Sequence, residues 1–215
     1  MDLYELYLYV LKNWDKILGR SSEHVYLAFT AVALACLVGI PVGLAINRNK
    51  QLANLVMNGA NILQTIPSLA MFALLIPIVG IRDKNAILAL FLYGLLPIIK
   101  NTYTGIKNVD PAITEAAKGM GMSSFQMLYI VQAPLAVPVI MAGVRIATVT
   151  GIGVATIATL IGSGGLGALI YQGIGMMNYP MMLSGAIAAA LLALLTDYIL
   201  GLLEKLMTSK GITTK

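Results

Sequence analysis

The chain has 215 residues, of which 59% are hydrophobic and 11% charged, whereas soluble domains average about 45–50% apolar and about 25% charged. It is therefore read as an all-α integral membrane protein with one helical bundle and no room for a second, soluble domain. The net charge of +5 comes from Lys and Arg scattered between apolar spans, which excludes a basic, aromatic-interleaved face for nucleic acid, and the single cysteine, Cys36, excludes an internal disulfide or a cysteine-built metal site.

Residues 1–20 come first. Within residues 3 to 18, Leu3, Leu6, Tyr7, Val10, Leu11, Trp14 and Leu18 recur at helical spacing opposite Asp2, Glu5, Lys12 and Asp15. That is the pattern of an amphipathic helix lying along the membrane interface, a depth that also suits Tyr4, Tyr7, Tyr9 and Trp14. Acidic residues and the lack of a small-residue cleavage site argue against a signal peptide.

A bilayer core of about 30 Å needs roughly 20 apolar residues in helix. Five stretches qualify within residues 21–204: 24 to 46, 53 to 79, 86 to 106, 125 to 161 and 181 to 203, leaving residues 205–215 as a tail. The fourth is longer than one span and is expected to break at Pro134 and Pro138. Pro41, Pro67, Pro77 and Pro97 also lie in or beside the spans, where each removes a backbone donor and bends or ends a helix. Kinks around a pathway, or packing in which neighbouring helices satisfy the freed carbonyls, both fit.

Polar residues inside the spans are Gln64, Thr65, Ser68, Tyr93, Thr148, Thr150, Thr156 and Thr159, and interhelical hydrogen bonding serves most of them. Gln64, Thr65 and Ser68 flank Pro67 and, with Tyr93, are candidates for lining a pathway. Arg145 lies about three turns into its span and must face something polar. A pathway, backbone carbonyls or Asp197 are the options. Asp197 is nearer the cytoplasmic end of its own span than Arg145 is, so their pairing is not expected.

Residues 108–124 are too polar for lipid and too ordered for a plain loop. Asp110 is a good N-cap and Pro111 a good first helical residue, so a helix of some 15 Å should run to about Met120. Gly119 and Gly121 stop it, and Ser123 with Gln126 fits a capping box for a helix leading through Val131 to Pro134. With this loop placed inside, Arg48, Lys50, Lys100, Lys107, Lys118, Lys205, Lys210 and Lys215 are cytoplasmic. Lys12, Lys16, Arg20, Arg82 and Lys84 are outside. The eight-to-five bias puts the N-terminus out and the C-terminus in.

Glu115-Ala116-Ala117, three residues, Gly121, nine residues and Val131-Gln132-Ala133-Pro134 resemble the EAA loop of permease subunits in bacterial ABC importers, E-A-A-x3-G-x9-I-x-L-P. Val131 replaces Ile and Ala133 replaces Leu, and both remain apolar. QTIPSLAMFALLIPIVGI at 64 to 81, LFLYGLLPIIKNTYTGIKNVDP at 90 to 111, PVIMAGVRIATV at 138 to 149 and LIGSGGLGALI at 160 to 170 look like permeases of glycine betaine, carnitine and choline importers. A methionine-type or other small amino-acid permease is the nearest alternative.

The resemblance implies a type I (MetI-like) ABC importer permease fold in a bacterial cell membrane: five transmembrane helices plus an N-terminal interfacial helix. It further implies a coupling helix built on Glu115, Ala116, Ala117, Gly121 and Pro134, which docks into a cleft of a cytoplasmic ATPase. The partners would be two ATP-binding subunits, a second permease, a solute-binding protein and lipid. ATP and magnesium would sit on the ATPase, with no cofactor on this chain.

Two readings from other classes meet obstacles. The run Gly162-Ser163-Gly164-Gly165-Leu166-Gly167 lacks the Gly-Lys-Ser/Thr ending of a phosphate loop; the resemblance makes it a turn at the outer membrane edge. A serine protease built on Ser163 needs a histidine base within reach, and the one histidine, His24, stands at the start of the first span. A passive channel would conduct without ATP. The spans carry no aromatic cluster for a quaternary ammonium, which assigns high-affinity capture to a separate binding protein.

Overall fold

The computed structural model describes residues 3–208. In chain order it contains α1 (Leu3–Lys12), α2 (Trp14–Ala45), a 3-10 turn (Ile46–Arg48), α3 (Lys50–Thr65), α4 (Ser68–Val79), α5 (Asp83–Lys107) and α6 (Pro111–Gly119). There follow α7 (Ser124–Gln126), a π-helical turn (Met127–Gln132), α8 (Ala133–Ala155), a second 3-10 turn (Ile157–Ile161), α9 (Gly167–Gly175) and α10 (Tyr179–Met207). No strand occurs among the described residues. The expected tail at 205–215 lies outside the described residues from 209 onward, and its first three residues are the end of α10.

Among the described residues, four stretches are long and apolar enough to cross a membrane: Trp14–Arg48, Asp83–Lys107, Ser124–Ala155 and Tyr179–Met207. The expected span at 53 to 79 is instead a broken pair, α3 and α4, bent by 103°. The cause is local. A residue before proline is driven out of the helical region, and Ile66, at φ −70° and ψ 125°, is extended. Counted as one span, the pair makes the fifth.

The fourth span departs in the opposite sense. Helix continues past both Pro134 and Pro138 to Ala155, so the expected breaks do not occur. In an unbroken α-helix the Pro134 ring would meet the carbonyl of Ile130 and offer it no N–H. The wider π turn immediately before it relieves that conflict.

The N-terminal segment is also divided differently from expectation. The Asn13 side chain donates to the Tyr9 carbonyl at 2.9 Å, α1 ends at Lys12, and Trp14 opens α2. Residues 14–20 therefore belong to the first long helix. Ile17, buried, packs with Leu166, Leu169, Met181 and Ala189 at the α9–α10 contact.

α5 is the central helix, packed on α2 and α8 along its length and on α3 and α4 at one side. Leu27, Ala31, Phe72, Ala86, Ala89, Leu90 and Ala155 are buried together where α2, α4, α5 and α8 meet. Close packing is what holds membrane helices together, since lipid removes the hydrophobic contrast, and small residues permit it. At Gly143 a Cβ would stand 2.7 Å from the Pro97 carbonyl oxygen and 2.6 Å from Asn101 Cβ. Only hydrogen fits there, which lets α8 lie directly on α5.

Candidate functional site

The polar loop is a built object. Asp110 Oδ1 accepts the Ala112 N–H at 2.8 Å, with Pro111 at the first helical position. α6 ends in a Schellman motif: Gly121, at φ 78°, donates to the Lys118 carbonyl at 2.9 Å, and Met122 donates to the Ala117 carbonyl at 3.2 Å. That left-handed φ strains any residue with a Cβ and suits glycine. Ser123 and Gln126 then form a reciprocal capping box, Ser123 N–H to Gln126 Oε1 at 2.8 Å and Gln126 N–H to Ser123 Oγ at 3.3 Å. Helix, glycine turn and second helix occur at the expected positions.

The two alanines of the motif differ in burial. Ala117 is 1% exposed on the side of α6 that packs on the π turn, whereas Glu115 and Ala116 are exposed. Ile113 and Met120 are exposed as well, so α6 presents an apolar-edged outer face with Glu115 on it. Pro134 is exposed at the second position of α8, beyond the π turn.

The six candidate pathway residues fall into three places. Gln64 and Tyr93 line a groove of about 460 Å³ with Leu96, Pro97, Lys100, Asn101, Thr104, Ile146 and Thr150. They also hold the broken helix pair to α5: Gln64 Nε2 donates to the Tyr93 carbonyl at 2.9 Å, and the Tyr93 hydroxyl donates to the Ile66 carbonyl. Thr65, Pro67 and Ser68 form the bend itself, where the Thr65 hydroxyl donates back to Ile62 at 2.7 Å. None of these three lines the groove.

Arg145 is elsewhere, between α8 and α10. Its Nε and Nη2 meet the two oxygens of Asp197, each at 2.9 Å, and its Nη1 meets Glu204 Oε2 at 2.9 Å. The pairing not expected from sequence is therefore present, with a second carboxylate added. Asp197, Gly201 and Glu204 occupy one face of α10, and a Cβ on Gly201 would lie 3.4 Å from Arg145 Cζ. The flat guanidinium covers that glycine and reaches both acids. Position counted along each helix did not reveal this, because α8 and α10 differ in length and offset and arginine is long.

Sequence reasoning missed a second cluster. Glu23 Oε2 accepts the Gly165 N–H at 2.8 Å, and His24 Nδ1 accepts the Leu166 N–H at 3.2 Å. His24 Nε2 lies 2.9 Å from the Ile152 carbonyl, which fixes the tautomer with hydrogen on Nε2. One buried histidine thus joins α2, α8 and the glycine loop. The Ser163 hydroxyl donates to Asp83 Oδ1 at 2.9 Å. With both His24 nitrogens occupied by Ile152 and Leu166, Ser163 has no histidine base, which the protease reading needs. The available signal was a Glu-His pair directly before an apolar run, which also marks the edge of a span.

Comparison with known proteins bears on this architecture. The profile of the family described as "Binding-protein-dependent transport system inner membrane component" matches residues 35–209. The glycine betaine/carnitine/choline transport system permease protein OpuCB of Bacillus subtilis (strain 168) is 41% identical over 208 residues, 97% of this chain and 96% of the relative. The carnitine transport permease protein OpuCD of Listeria monocytogenes serotype 1/2a is 46% identical over 94% of this chain and 92% of its own length. The osmoprotectant import permease protein OsmW of Salmonella typhimurium is 42% identical over 95% of this chain and 97% of its own. Among solved structures, a chain of the inward-facing MetNI methionine ABC transporter superposes with a TM-score of 0.82 at 22% identity, covering 97% of this chain and 100% of that one. The fold is that of a type I ABC importer permease. The chain belongs to the family of binding-protein-dependent transport system inner membrane components.

Proposed function

We propose that this chain is the permease subunit of an ATP-driven importer of quaternary-ammonium osmoprotectants: glycine betaine, carnitine and choline. The observation that carries the solute is the 41% identity over 97% of the chain to a permease named for those three compounds. A methionine-type system has support only from likeness at 22% identity, which speaks for the fold alone.

In this reading α6 is the coupling helix. Its exposed Glu115, Ala116, Ile113 and Met120 dock on a cytoplasmic ATP-binding subunit, and Ala117 holds the helix to its own chain through the π turn. ATP and magnesium are held by that partner and not by this chain. One chain supplies one coupling helix, so two ATP-binding subunits require a second permease, identical or paralogous. A solute-binding protein delivers the cargo from outside. Closure of the ATPase pair moves the coupling helices and rocks the bundle between inward-open and outward-open states.

The test is uptake of labelled glycine betaine into proteoliposomes bearing the permeases, ATPase and binding protein, with this chain carrying Glu115→Lys and Gly121→Val together. The expected result is loss of ATP-driven uptake. Normal uptake by the double variant would contradict the coupling role.

A further inference from the structure

We infer that Lys100 is a solute-contacting residue that selects zwitterionic osmoprotectants, which carry a carboxylate, over the bare cation choline. This rests on the osmoprotectant reading above and names the chemistry of one pathway residue within it.

The groove gives the setting. On α5, Tyr93, Leu96, Pro97, Lys100, Asn101 and Thr104 fall at spacings of three and four residues, one continuous face of the helix. Gln64 closes one side of the groove and Ile146 and Thr150, one turn apart on α8, close the other. Amide, phenol and hydroxyl groups thus alternate with apolar walls along about 460 Å³, room enough for a small solute.

Among the described residues, Lys100 is the one charged side chain lining that groove. It is exposed, and the three ion pairs among the described residues do not include it. Arg145, the other basic residue deep in a span, is neutralised by Asp197 and Glu204. Lys107 lies over the Tyr103 ring at 5.8 Å at the end of α5. Lys100 is seven residues, two turns or about 10 Å, short of that end.

An ammonium with no ion-pair partner among the described residues attracts a carboxylate and repels a cation. Glycine betaine and carnitine each carry a quaternary ammonium and a carboxylate, and choline carries the ammonium and a hydroxyl. The carboxylate can therefore pair with Lys100 during passage. Choline meets only like charge.

The test compares glycine betaine with choline uptake in the same proteoliposomes, containing the full transporter and saturating binding protein, for wild type, K100M, K100R and K100E. Taking the ratio within one preparation cancels differences in insertion and in capture by the binding protein. Loss of one charge-assisted contact predicts a betaine-to-choline ratio about tenfold lower in K100M. K100R is expected to stay within about twofold of wild type on the same estimate, and K100E to fall below K100M. An unchanged ratio in K100M and K100E, a fall in K100R as deep as in K100M, or a wild-type transporter that carries choline alone would each overturn the inference. Uptake of none of glycine betaine, carnitine or choline by wild type would instead remove the osmoprotectant reading on which it rests.

Discussion

Arg145 on α8 grips both carboxylate oxygens of Asp197 on α10 at 2.9 Å and reaches Glu204 two turns further along the same helix. Both helices are long enough to span a membrane. An exposed pair of this kind contributes little in water, but a charge left without its partner in a membrane span is costly. The cluster therefore fixes α10 against α8 by making separation unfavourable.

The first prediction follows from that asymmetry. Arg145→Met leaves two carboxylates without their cation, and the purified protein should melt at a lower temperature with lower yield. Replacing all three charges, with Arg145→Met, Asp197→Leu and Glu204→Gln, should recover most of the loss, since neutral substitutes leave no unpaired charge. Melting followed by size-exclusion chromatography reads both. A triple variant no better than the single one would contradict the account.

His24 permits a similar test with a magnitude. His24→Leu nearly keeps the volume and removes the bonds to Leu166 and Ile152. An orphaned buried polar group costs about 1–3 kcal/mol, so two of them predict a loss of at least about 2 kcal/mol. At about 2–4 °C per kcal/mol for a chain of this size, the melting temperature should fall by roughly 4–8 °C. An unchanged melting temperature would show that the glycine loop is not held by His24.

The opposite faces of α6 make a third test. Ala117 is buried against its own chain and Glu115 is exposed. Ala117→Glu should disrupt the loop itself, with loss of stability of about 2 kcal/mol or more from burying an unpaired carboxylate. Glu115→Lys should leave the permease folded and weaken its co-purification with the ATPase. Equal effects of the two substitutions on stability would mean that the loop is not seated as described.

What could be read from sequence divides by the range of the interaction. Asp110, Pro111, Gly121, Ser123 and Gln126 act within three or four residues of themselves, so the loop's caps and turn were legible one by one. Pro67 announced a bend, but the 103° between α3 and α4 also depends on Gln64 and Tyr93 tying the bend to α5, contacts 27 and 29 residues away. The π turn before Pro134 has no sequence signal of its own. It is the response of a helix that packing forces to continue through a proline. Arg145 with Asp197, and His24 with Leu166, join residues 52 and 142 apart, and side-chain types alone do not pick such partners from several polar candidates. In the sequence Lys100 is one basic residue among several near span ends, and its place in the groove depends on α3, α5 and α8 coming together.

The central claim is that this chain conducts an osmoprotectant only when ATP hydrolysis drives it. It is tested most directly by initial rates of labelled glycine betaine, carnitine and choline uptake into proteoliposomes holding this chain with its partner permease, ATPase and binding protein, with and without ATP and magnesium. The account predicts uptake of at least one of the three that requires ATP and stops when Gly121→Val is combined with Glu115→Lys. Flux of equal rate without ATP, or ATP-driven uptake of methionine with none of the three, would contradict it.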